Sequence, residues 1–419
     1  MRIFIEKSRI SGTVAAPSSK SYTIRGLICA ALAEGESRLI SPLSSDDTEA
    51  TLEVLGQIGV GLKRGADCWQ VSGGHLKPPA EDLFCRDSAA TMRFMTAICS
   101  LIPGSCRLVA GESLSRRPIE PLLQALRQLG VKCHAEVKSV VVDGGGLRGG
   151  TTEIPGDISS QFISALLLVA PLAEEGVTIR LTTPPESKPY LEMTLNCLAQ
   201  FGITVKTAAD LTEFVVPRQQ YRPANYTIEG DWSSASYFLA LGALSDGVMV
   251  TNLKQKSLQG DKIMLNLLGD MGAHISSSGD AVSLSGTGLK AITADLSDCI
   301  DLLPTVATLA ALAEGTSHLS GIERARAKES NRVTAVKEGL EKMGIRVTEE
   351  RNRLTIFGGQ PKGALIDSRN DHRIAMAFSI LGAAVGSTAI EGAECVAKTY
   401  PQFWAALKQI GGEVKSNGQ

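Results

Sequence analysis

Aromatic side chains are scarce. Phe, Tyr and Trp make up 5% of the 419 residues, and Trp69, Trp232 and Trp404 stand far apart. A stacking platform for single-stranded nucleic acid needs successive aromatics on one surface, so that function is excluded. The five histidines are scattered and leave no set with zinc-ligand spacing. The nine cysteines include no Cys-x-x-Cys pair, and most lie in apolar runs. They read as reduced, buried thiols of a cytoplasmic protein. No apolar run reaches the roughly 18 residues that cross a bilayer. Residues 1–7 alternate like a strand and are too short and too charged for a signal peptide. Net charge is also small: 42 Lys and Arg stand against 44 Asp and Glu, a balance of −2. Nothing therefore draws the whole chain to nucleic acid or to a membrane. Gly-x-Ser-x-Gly elbows, Walker loops and dinucleotide-binding glycine patterns are missing from their required contexts.

What is present is repetition. With 43% hydrophobic residues the chain can build two domains with full cores. One pattern recurs six times: a polar start, an apolar helix, a glycine, a strand, a second helix, then a second glycine and an apolar strand. The first glycine stands at 35, 104, 176, 247, 315 and 386, the second at 59, 130, 202, 272, 344 and 411. Both sets read as helix caps, since glycine just past a helix end takes the left-handed conformation without strain. The unit starts are related. Gly156-Asp157-Ile158-Ser159-Ser160 and Gly230-Asp231-Trp232-Ser233-Ser234 share one pattern, and Ser18-Ser19-Lys20-Ser21, Arg86-Asp87-Ser88-Ala89, Asp298-Cys299-Ile300-Asp301 and Asn370-Asp371-His372-Arg373 occupy the same place.

The last unit is short by about the length of the N-terminal segment, so the first strand is expected to complete it. Six units divide into two α/β domains of three repeats, residues 17–229 and residues 1–16 with 230–419, joined by a two-strand hinge. Helices 162–173, 303–313 and 374–384 are apolar on nearly all sides, which places the first helix of each unit inside and the sheets outside.

The chemistry collects at the unit starts. Serine at a helix start satisfies unpartnered backbone N–H groups, and the positive helix end favours an anion. In Pro17-Ser18-Ser19-Lys20-Ser21-Tyr22-Thr23-Ile24-Arg25, Lys20 adds an ammonium, and Arg25 falls on the same helix face as Ser21. Arg93, Arg116, Arg117, Lys188, Arg324, Arg326, Lys328, Arg332, Arg369, Arg373 and Lys398 lie at other starts and connections. So many cations beside apolar helices point to substrates with several negative groups. Ser159-Ser160-Gln161 and a Pro-containing turn, Ser187-Lys188-Pro189-Tyr190, suit a polar phosphorylated ring. Two carboxylates stand out. Glu329, in Lys328-Glu329-Ser330-Asn331-Arg332, is either a general acid/base or one half of an ion pair. Asp301, at the start of an apolar helix, is either a base or a cap.

Taken together, these motifs resemble the 5-enolpyruvylshikimate-3-phosphate (EPSP) synthases of the enolpyruvyl transferase family. The resemblance rests on Pro17-Ser18-Ser19-Lys20-Ser21 with Arg25, Arg117-Pro118-Ile119, Ser159-Ser160-Gln161-Phe162, Ser187-Lys188-Pro189-Tyr190, Lys328-Glu329-Ser330-Asn331-Arg332, Asn370-Asp371-His372-Arg373 and Ala397-Lys398-Thr399. It spans essentially the whole chain. It implies two domains of three α/β units that close on the substrates. It further implies transfer of the enolpyruvyl group of phosphoenolpyruvate to the 5-hydroxyl of shikimate-3-phosphate, with release of phosphate.

By the same resemblance, shikimate-3-phosphate is bound by Lys20, Ser21, Arg25, Ser159, Ser160, Gln161, Ser187, Tyr190, Asp301 and Lys328. Phosphoenolpyruvate is bound by Lys20, Ala89, Arg117, Gln161, Arg332, Arg373 and Lys398. Lys20, Asp301 and Glu329 are the catalytic groups. No metal or organic cofactor, no nucleic acid and no membrane are implied, and the protein is expected to be a monomer.

One loop departs from the family. Its usual Asn-Ala-Gly-Thr-Ala-Met-Arg-Pro reads here Asp87-Ser88-Ala89-Ala90-Thr91-Met92-Arg93-Phe94. The extra methyl of Ala89 implies a narrower phosphoenolpyruvate pocket and reduced sensitivity to glyphosate, which occupies that place. Two other readings stay open here. A sister enzyme uses a UDP-amino sugar as acceptor and carries a mobile-loop cysteine, which Gly111-Glu112-Ser113-Leu114-Ser115-Arg116-Arg117 lacks. A non-enzymatic repeat clamp would spread its cations along one face.

Overall fold

The computed structural model describes residues 1–286 and 288–416 of an α/β chain. The chain divides into two compact units, Met1–Pro17 with Glu229–Gln419, and Ser18–Ile228. Each unit has its own hydrophobic core. Each also holds three four-stranded sheets of one topology.

The unit around residue 180 shows the pattern. Strand Gly150–Ile154 leads through helix Ser160–Val169 to strand Val177–Leu181. Helix Lys188–Gln200 and the hairpin Lys206–Thr207 and Glu213–Val216 follow. The first two strands pair in parallel, Gly150 opposite Val177 and Ile154 opposite Leu181. A parallel pair needs a crossover, which the first helix supplies. The hairpin then adds its second strand beside Val177–Leu181, antiparallel, and leaves its first at the edge. All six sheets keep this order of first, second, fourth, third. The sequence pattern showed one strand after the second glycine where the fold has two. The missed strands are short or polar, as in Lys206–Thr207 and His274–Ser278.

Three sheets borrow a strand from far along the chain. Arg2–Ile5 lies between Thr388–Glu391 and Val414–Ser416 as the fourth strand of the last sheet. Ser11–Ala15 runs parallel to Gly247–Thr251 as the first strand of another. Asn225–Thr227 returns to run parallel to Gly35–Ile40.

All twelve repeat glycines have positive φ, from +78° to +155°, a region that side-chain-bearing residues rarely enter. The second set, with φ between +81° and +96°, sits just past helix ends as expected. The first set does not. Only Gly386 directly follows a helix, His372–Val385, while Gly35, Gly104 and Gly247 begin strands. Their freedom turns the chain from helix into strand.

The first helices are buried on every side. Every residue of Ala89–Ile98 and of Trp232–Ala243 is buried. In one unit the helices Trp232–Ala243, Leu303–Leu312 and His372–Val385 pack against one another. In the other, Ala89–Ile98 packs against Lys20–Leu32 and Ser160–Val169. The helix read over 162–173 ends at Val169 and passes into a 3-10 turn, Ala170–Leu172, because Pro171 has no N–H to continue it. Trp232 is fully buried, and Tyr237, Phe238, Tyr400 and Phe403 meet edge to face nearby in the same core. The rare aromatics are thus packing residues.

One helix contact sets the spacing of later importance. Gly339, in helix Arg332–Lys342, faces the ring of Phe378, and a Cβ there would lie 2.3 Å from Phe378 Cζ. Alanine normally favours a helix over glycine, by about 1 kcal/mol. Here the clash dominates. Gly339→Ala should lower stability by about 1–3 kcal/mol in urea denaturation, and Phe378→Leu in the same chain should recover most of the loss.

Candidate active site

In the Ser18–Ile228 unit, three inner helices begin with serine caps. Ser19 accepts from the Tyr22 amide at 3.5 Å, Ser88 from Thr91 at 3.5 Å and Ser159 from Gln161 at 3.3 Å. These neutral caps leave the positive helix ends uncancelled. Lys20, half-buried at one such end, holds Asp47 Oδ2 at 2.9 Å.

Arg25 is buried one turn further on. Its Nε donates to Thr194 Oγ1 at 2.8 Å, its Nη1 to the Ser21 carbonyl at 3.1 Å and its Nη2 to the Tyr190 carbonyl at 3.3 Å. The rings of Phe94 and Tyr190 stack on it at 5.5 and 5.9 Å. Burial pulls its proton affinity below the ordinary arginine value, with Cys197 and Tyr190 opposing.

Ser187 and Tyr190 lie at a helix start, not in a free turn. Ser187 precedes helix Lys188–Gln200 with φ +54°, and Pro189 fits the first turn because its missing N–H has no partner there anyway. A left-handed serine costs on the order of 1 kcal/mol and is a mark of functional sites. Lys188 is exposed.

Arg93 gathers two other segments. Its Nη1 donates to Gln161 Oε1 at 2.7 Å and Ser159 Oγ at 3.1 Å, its Nη2 donates to the Pro118 carbonyl at 3.3 Å, and its plane covers Phe162. Asp87 Oδ1 accepts from Ser113 N and Leu114 N at 2.9 and 3.0 Å, which ties the loop before half-buried Arg117 to the start of helix Ala89–Ile98. Ala89, 7% exposed, is the first residue of that helix, the place that Lys20 and Ser160 hold in theirs.

The other unit builds its site from charge. Arg332 is 1% exposed. Its Nε donates to Asp371 Oδ2 at 2.8 Å, its Nη1 to Asp301 Oδ1 at 2.7 Å and its Nη2 to Glu329 Oε2 at 2.6 Å. Lys328 Nζ and Arg373 Nη2 reach Asp301 more loosely, at 3.5 and 3.3 Å. Asp371 also caps helix His372–Val385 by accepting from the Arg373 amide at 3.0 Å, and Ser330 Oγ donates to it at 3.0 Å. Burial disfavours ionised Asp301, yet Arg373, Lys328 and Arg332 together hold its carboxyl well below the usual carboxylate range. Burial likewise disfavours the Arg332 charge, and Asp371, Glu329 and Asp301 outweigh it and raise its proton affinity.

The fold therefore brings Asp301, Lys328, Glu329, Arg332 and Arg373 into one cluster, with Lys398 buried at the end of the 3-10 segment Ala393–Lys398. Asp301 lies in the 3-10 turn Ile300–Leu302 rather than in the helix itself, and it pairs with cations instead of capping. Other cations go elsewhere. Arg324 Nη2 donates to the Ser297 carbonyl, Arg326 pairs with Glu349, Arg369 with Glu338 and Arg116 with Glu112. Asp47, Asp371 and the role of Arg93 were not foreseen. Arg93 carried a signal, as a charge inside an otherwise apolar helix. No group of three or more His, Cys, Asp or Glu among the described residues could hold a metal ion.

Two sets of three parallel-crossover units, with lysine and arginine gathered near the starts of their inner helices, define an α/β repeat protein suited to anionic ligands. Comparison with known proteins narrows this. The family model for EPSP synthase (3-phosphoshikimate 1-carboxyvinyltransferase) matches residues 5–407. The chain is 53% identical to the 3-phosphoshikimate 1-carboxyvinyltransferase of Dehalococcoides mccartyi strain 195, over 99% of both chains. It is 41% identical to that of Methanothermobacter thermautotrophicus, over 98% of this chain and 99% of the other. The solved EPSP synthase of Acinetobacter baumannii superposes with a TM-score of 0.83 at 27% identity, covering 99% and 100% of the two chains. The enolpyruvyl transferase NikO of Streptomyces tendae shares the fold, with a TM-score of 0.80 at 20% identity. The chain belongs to the EPSP synthase family.

The cluster makes a stability prediction. Arg332→Met leaves Asp301, Glu329 and Asp371 with one cation fewer and should cost about 3–5 kcal/mol. The lowered proton affinity of Asp301 contributes stability above the unfolded aspartate value, about 4, and loses it as pH falls through the lower folded value. The difference between wild type and variant should thus be full at pH 5–8 and shrink below pH 4 in denaturation curves.

Proposed function

We propose that this enzyme transfers the enolpyruvyl group of phosphoenolpyruvate to the 5-hydroxyl of shikimate-3-phosphate and releases phosphate, with the roles of its residues as follows. The observation that carries the reading is the cluster of Asp301 and Glu329 about buried Arg332, which holds two carboxylates ready for proton transfer amid cations that bind anions. Glu329, which takes up a proton as a substrate anion draws Arg332 from it, gives that proton to the methylene carbon of phosphoenolpyruvate. The neighbouring carbon becomes cationic and is attacked by the 5-hydroxyl, whose proton Asp301 takes. The tetrahedral intermediate then loses phosphate, which Lys20 stabilises and which leaves with the proton that Asp301 took from the hydroxyl, while Glu329 recovers its proton from the methyl group. Protons and electrons balance without a metal or organic cofactor.

The low proton affinity of Asp301 fits a base that is switched on by substrate. Its contacts to Arg373 and Lys328 are loose. Anionic groups of the substrates compete for these cations, and as they engage them the proton affinity of Asp301 rises. Arg117, Arg332, Arg373, Lys398 and Gln161 bind phosphoenolpyruvate. Lys20, Ser21, Arg25, Ser159, Ser160, Gln161, Ser187, Tyr190, Asp301 and Lys328 bind shikimate-3-phosphate. Serine caps suit its phosphate, because an oxygen acceptor can share helix-end N–H groups without meeting a carboxylate. The nine cysteines are all free thiols, in keeping with a cytoplasmic enzyme. We read the active form as a monomer.

Phosphate release with phosphoenolpyruvate and shikimate-3-phosphate, against UDP-N-acetylglucosamine as acceptor, tests the reading; release only with the sugar nucleotide, or with neither, overturns it. In the same assay Glu329→Gln keeps an oxygen for Arg332 but loses the exchangeable proton. Its kcat should fall by about 10²–10⁴-fold with the KM values little changed. For Ala89, removing the methyl should open the phosphoenolpyruvate pocket. Ala89→Gly should bind glyphosate roughly 10-fold more tightly or better, and equal inhibition constants would remove the idea of reduced sensitivity.

A further inference from the structure

Thr194 lies inside helix Lys188–Gln200, is 0% exposed and has no part in the reaction above. A hydroxyl has one proton to donate and can accept two, and Thr194 fills all three places. Its Oγ1 donates to the Tyr190 carbonyl, one turn back, at 2.9 Å. With that proton committed, the other two contacts are made to its oxygen. Arg25 Nε donates to it at 2.8 Å, and Ser164 Oγ, also at 2.8 Å, is the second donor. The bond to the preceding turn and the branch at Cβ hold the side chain in one rotamer.

These bonds join three helices. Arg25 belongs to Lys20–Leu32, Ser164 to Ser160–Val169, and Tyr190 with Thr194 to Lys188–Gln200. Arg25 depends on the arrangement most. It is 2% exposed, and its hydrogen-bond partners among the described residues, Thr194 Oγ1 and the carbonyls of Ser21 and Tyr190, are all uncharged. A buried guanidinium with no carboxylate to steer it takes its direction from the neutral acceptors around it. Three of its five N–H groups are engaged, which leaves one on each Nη for an anion. Thr194 alone among the described residues bonds Nε. The rings of Phe94 and Tyr190 attract the charge without fixing the direction of any N–H.

We infer that Thr194 is a positioning residue for shikimate-3-phosphate, a buried hydroxyl that aims the guanidinium of Arg25 at the anionic groups of that substrate. The inference rests on the proposed binding of shikimate-3-phosphate by Arg25. Without the hydroxyl, the Nε–H of Arg25 meets a methyl group in a dry place, and the guanidinium turns toward another acceptor. The loss falls on shikimate-3-phosphate, since Arg25 is not among the groups that bind phosphoenolpyruvate.

Thr194→Val keeps the shape and removes the hydroxyl, whereas Thr194→Ser keeps the hydroxyl. The KM values for both substrates should be measured for wild type and the two variants. In Thr194→Val the KM for shikimate-3-phosphate should rise about 10-fold or more, because the lost bond is one to a charged group. The KM for phosphoenolpyruvate should stay within about twofold, and Thr194→Ser should return the shikimate-3-phosphate value to within about threefold of wild type. A merely structural threonine lowers the Tm of Thr194→Val and leaves both KM values unchanged or moves them together. Either result overturns the inference, as does a serine variant no better than the valine one, while wild-type turnover leaves the proposed reaction standing. Absence of wild-type turnover with these substrates overturns both. Should Thr194→Val fail to fold, Thr194→Ala answers the same question, since its smaller side chain admits a water to the Arg25 Nε–H. A mobile water is a poorer guide than a fixed oxygen, so the KM for shikimate-3-phosphate alone should rise about threefold or more; an unchanged value, or an equal rise for phosphoenolpyruvate, overturns the inference.

Discussion

A guanidinium that water does not reach is the constraint on which the Glu229–Gln419 part of the enzyme depends. Arg332 has lost its hydration, a cost of several kcal/mol that only well-placed carboxylates offset. It has three, each from a different segment: Glu329 from the preceding turn, Asp301 from before helix Leu303–Leu312, and Asp371 from the cap of helix His372–Val385. Lys328 and Arg373 bring the positive charges to three, equal to the carboxylates. A balanced cluster of this kind resists rearrangement, since moving any one member leaves a bare charge in a dry place. It therefore sets where two inner helices begin. The close approach of Gly339 to Phe378 serves the same end, because it brings the helix of Arg332 up to the helix of Asp371 and Arg373.

The two halves handle helix ends differently. Ser19, Ser88 and Ser159 cap one set with neutral hydroxyls, whereas Asp231 and Asp371 cap the other with carboxylates. Neutral caps keep the helix field available to a bound anion. Carboxylate caps cancel it, so attraction for an anion on that side has to come from arginine and lysine side chains. The chain supplies them at 332, 373, 328 and 398. Backbone dipoles thus serve one half and side-chain charge the other, from the same repeated unit.

Much of this was legible because the repeats speak through backbone geometry. Glycine at twelve spaced positions marked turns that other residues enter only with strain, and every one has positive φ. Inner helices were legible because they are apolar all round. The hairpin strands were not, since pieces such as Lys206–Thr207 or the serine-rich His274–Ser278 carry too few apolar residues to show alternation. The short last unit made the borrowing of Arg2–Ile5 legible, but Ser11–Ala15 and Asn225–Thr227 escaped, because no local pattern tells Asn225–Thr227 that its neighbour is Gly35–Ile40. At the site, the motifs identified Asp301, Glu329 and Arg332 as chemistry, but their mutual pairing is a tertiary fact. Ser187 was placed in a turn since proline two residues on suggested one, although proline is equally at home in the first turn of a helix. Thr194 gave no sign at all: a threonine inside a helix is ordinary until three helices are seen to meet at its hydroxyl.

The strand Arg2–Ile5 leads the chain yet sits between Thr388–Glu391 and Val414–Ser416. During synthesis on the ribosome these first residues emerge long before either neighbour exists. Ser18–Ile228 has all its strands in hand and can complete its three sheets while the rest is still being translated. The segment Arg2–Ile5 must wait as an unpaired ribbon until Thr388–Glu391 has been made. Its own sequence suits the wait, with Arg2, Glu6, Lys7 and Arg9 spaced among the apolar residues, charges that discourage pairing with a stray strand from another nascent chain.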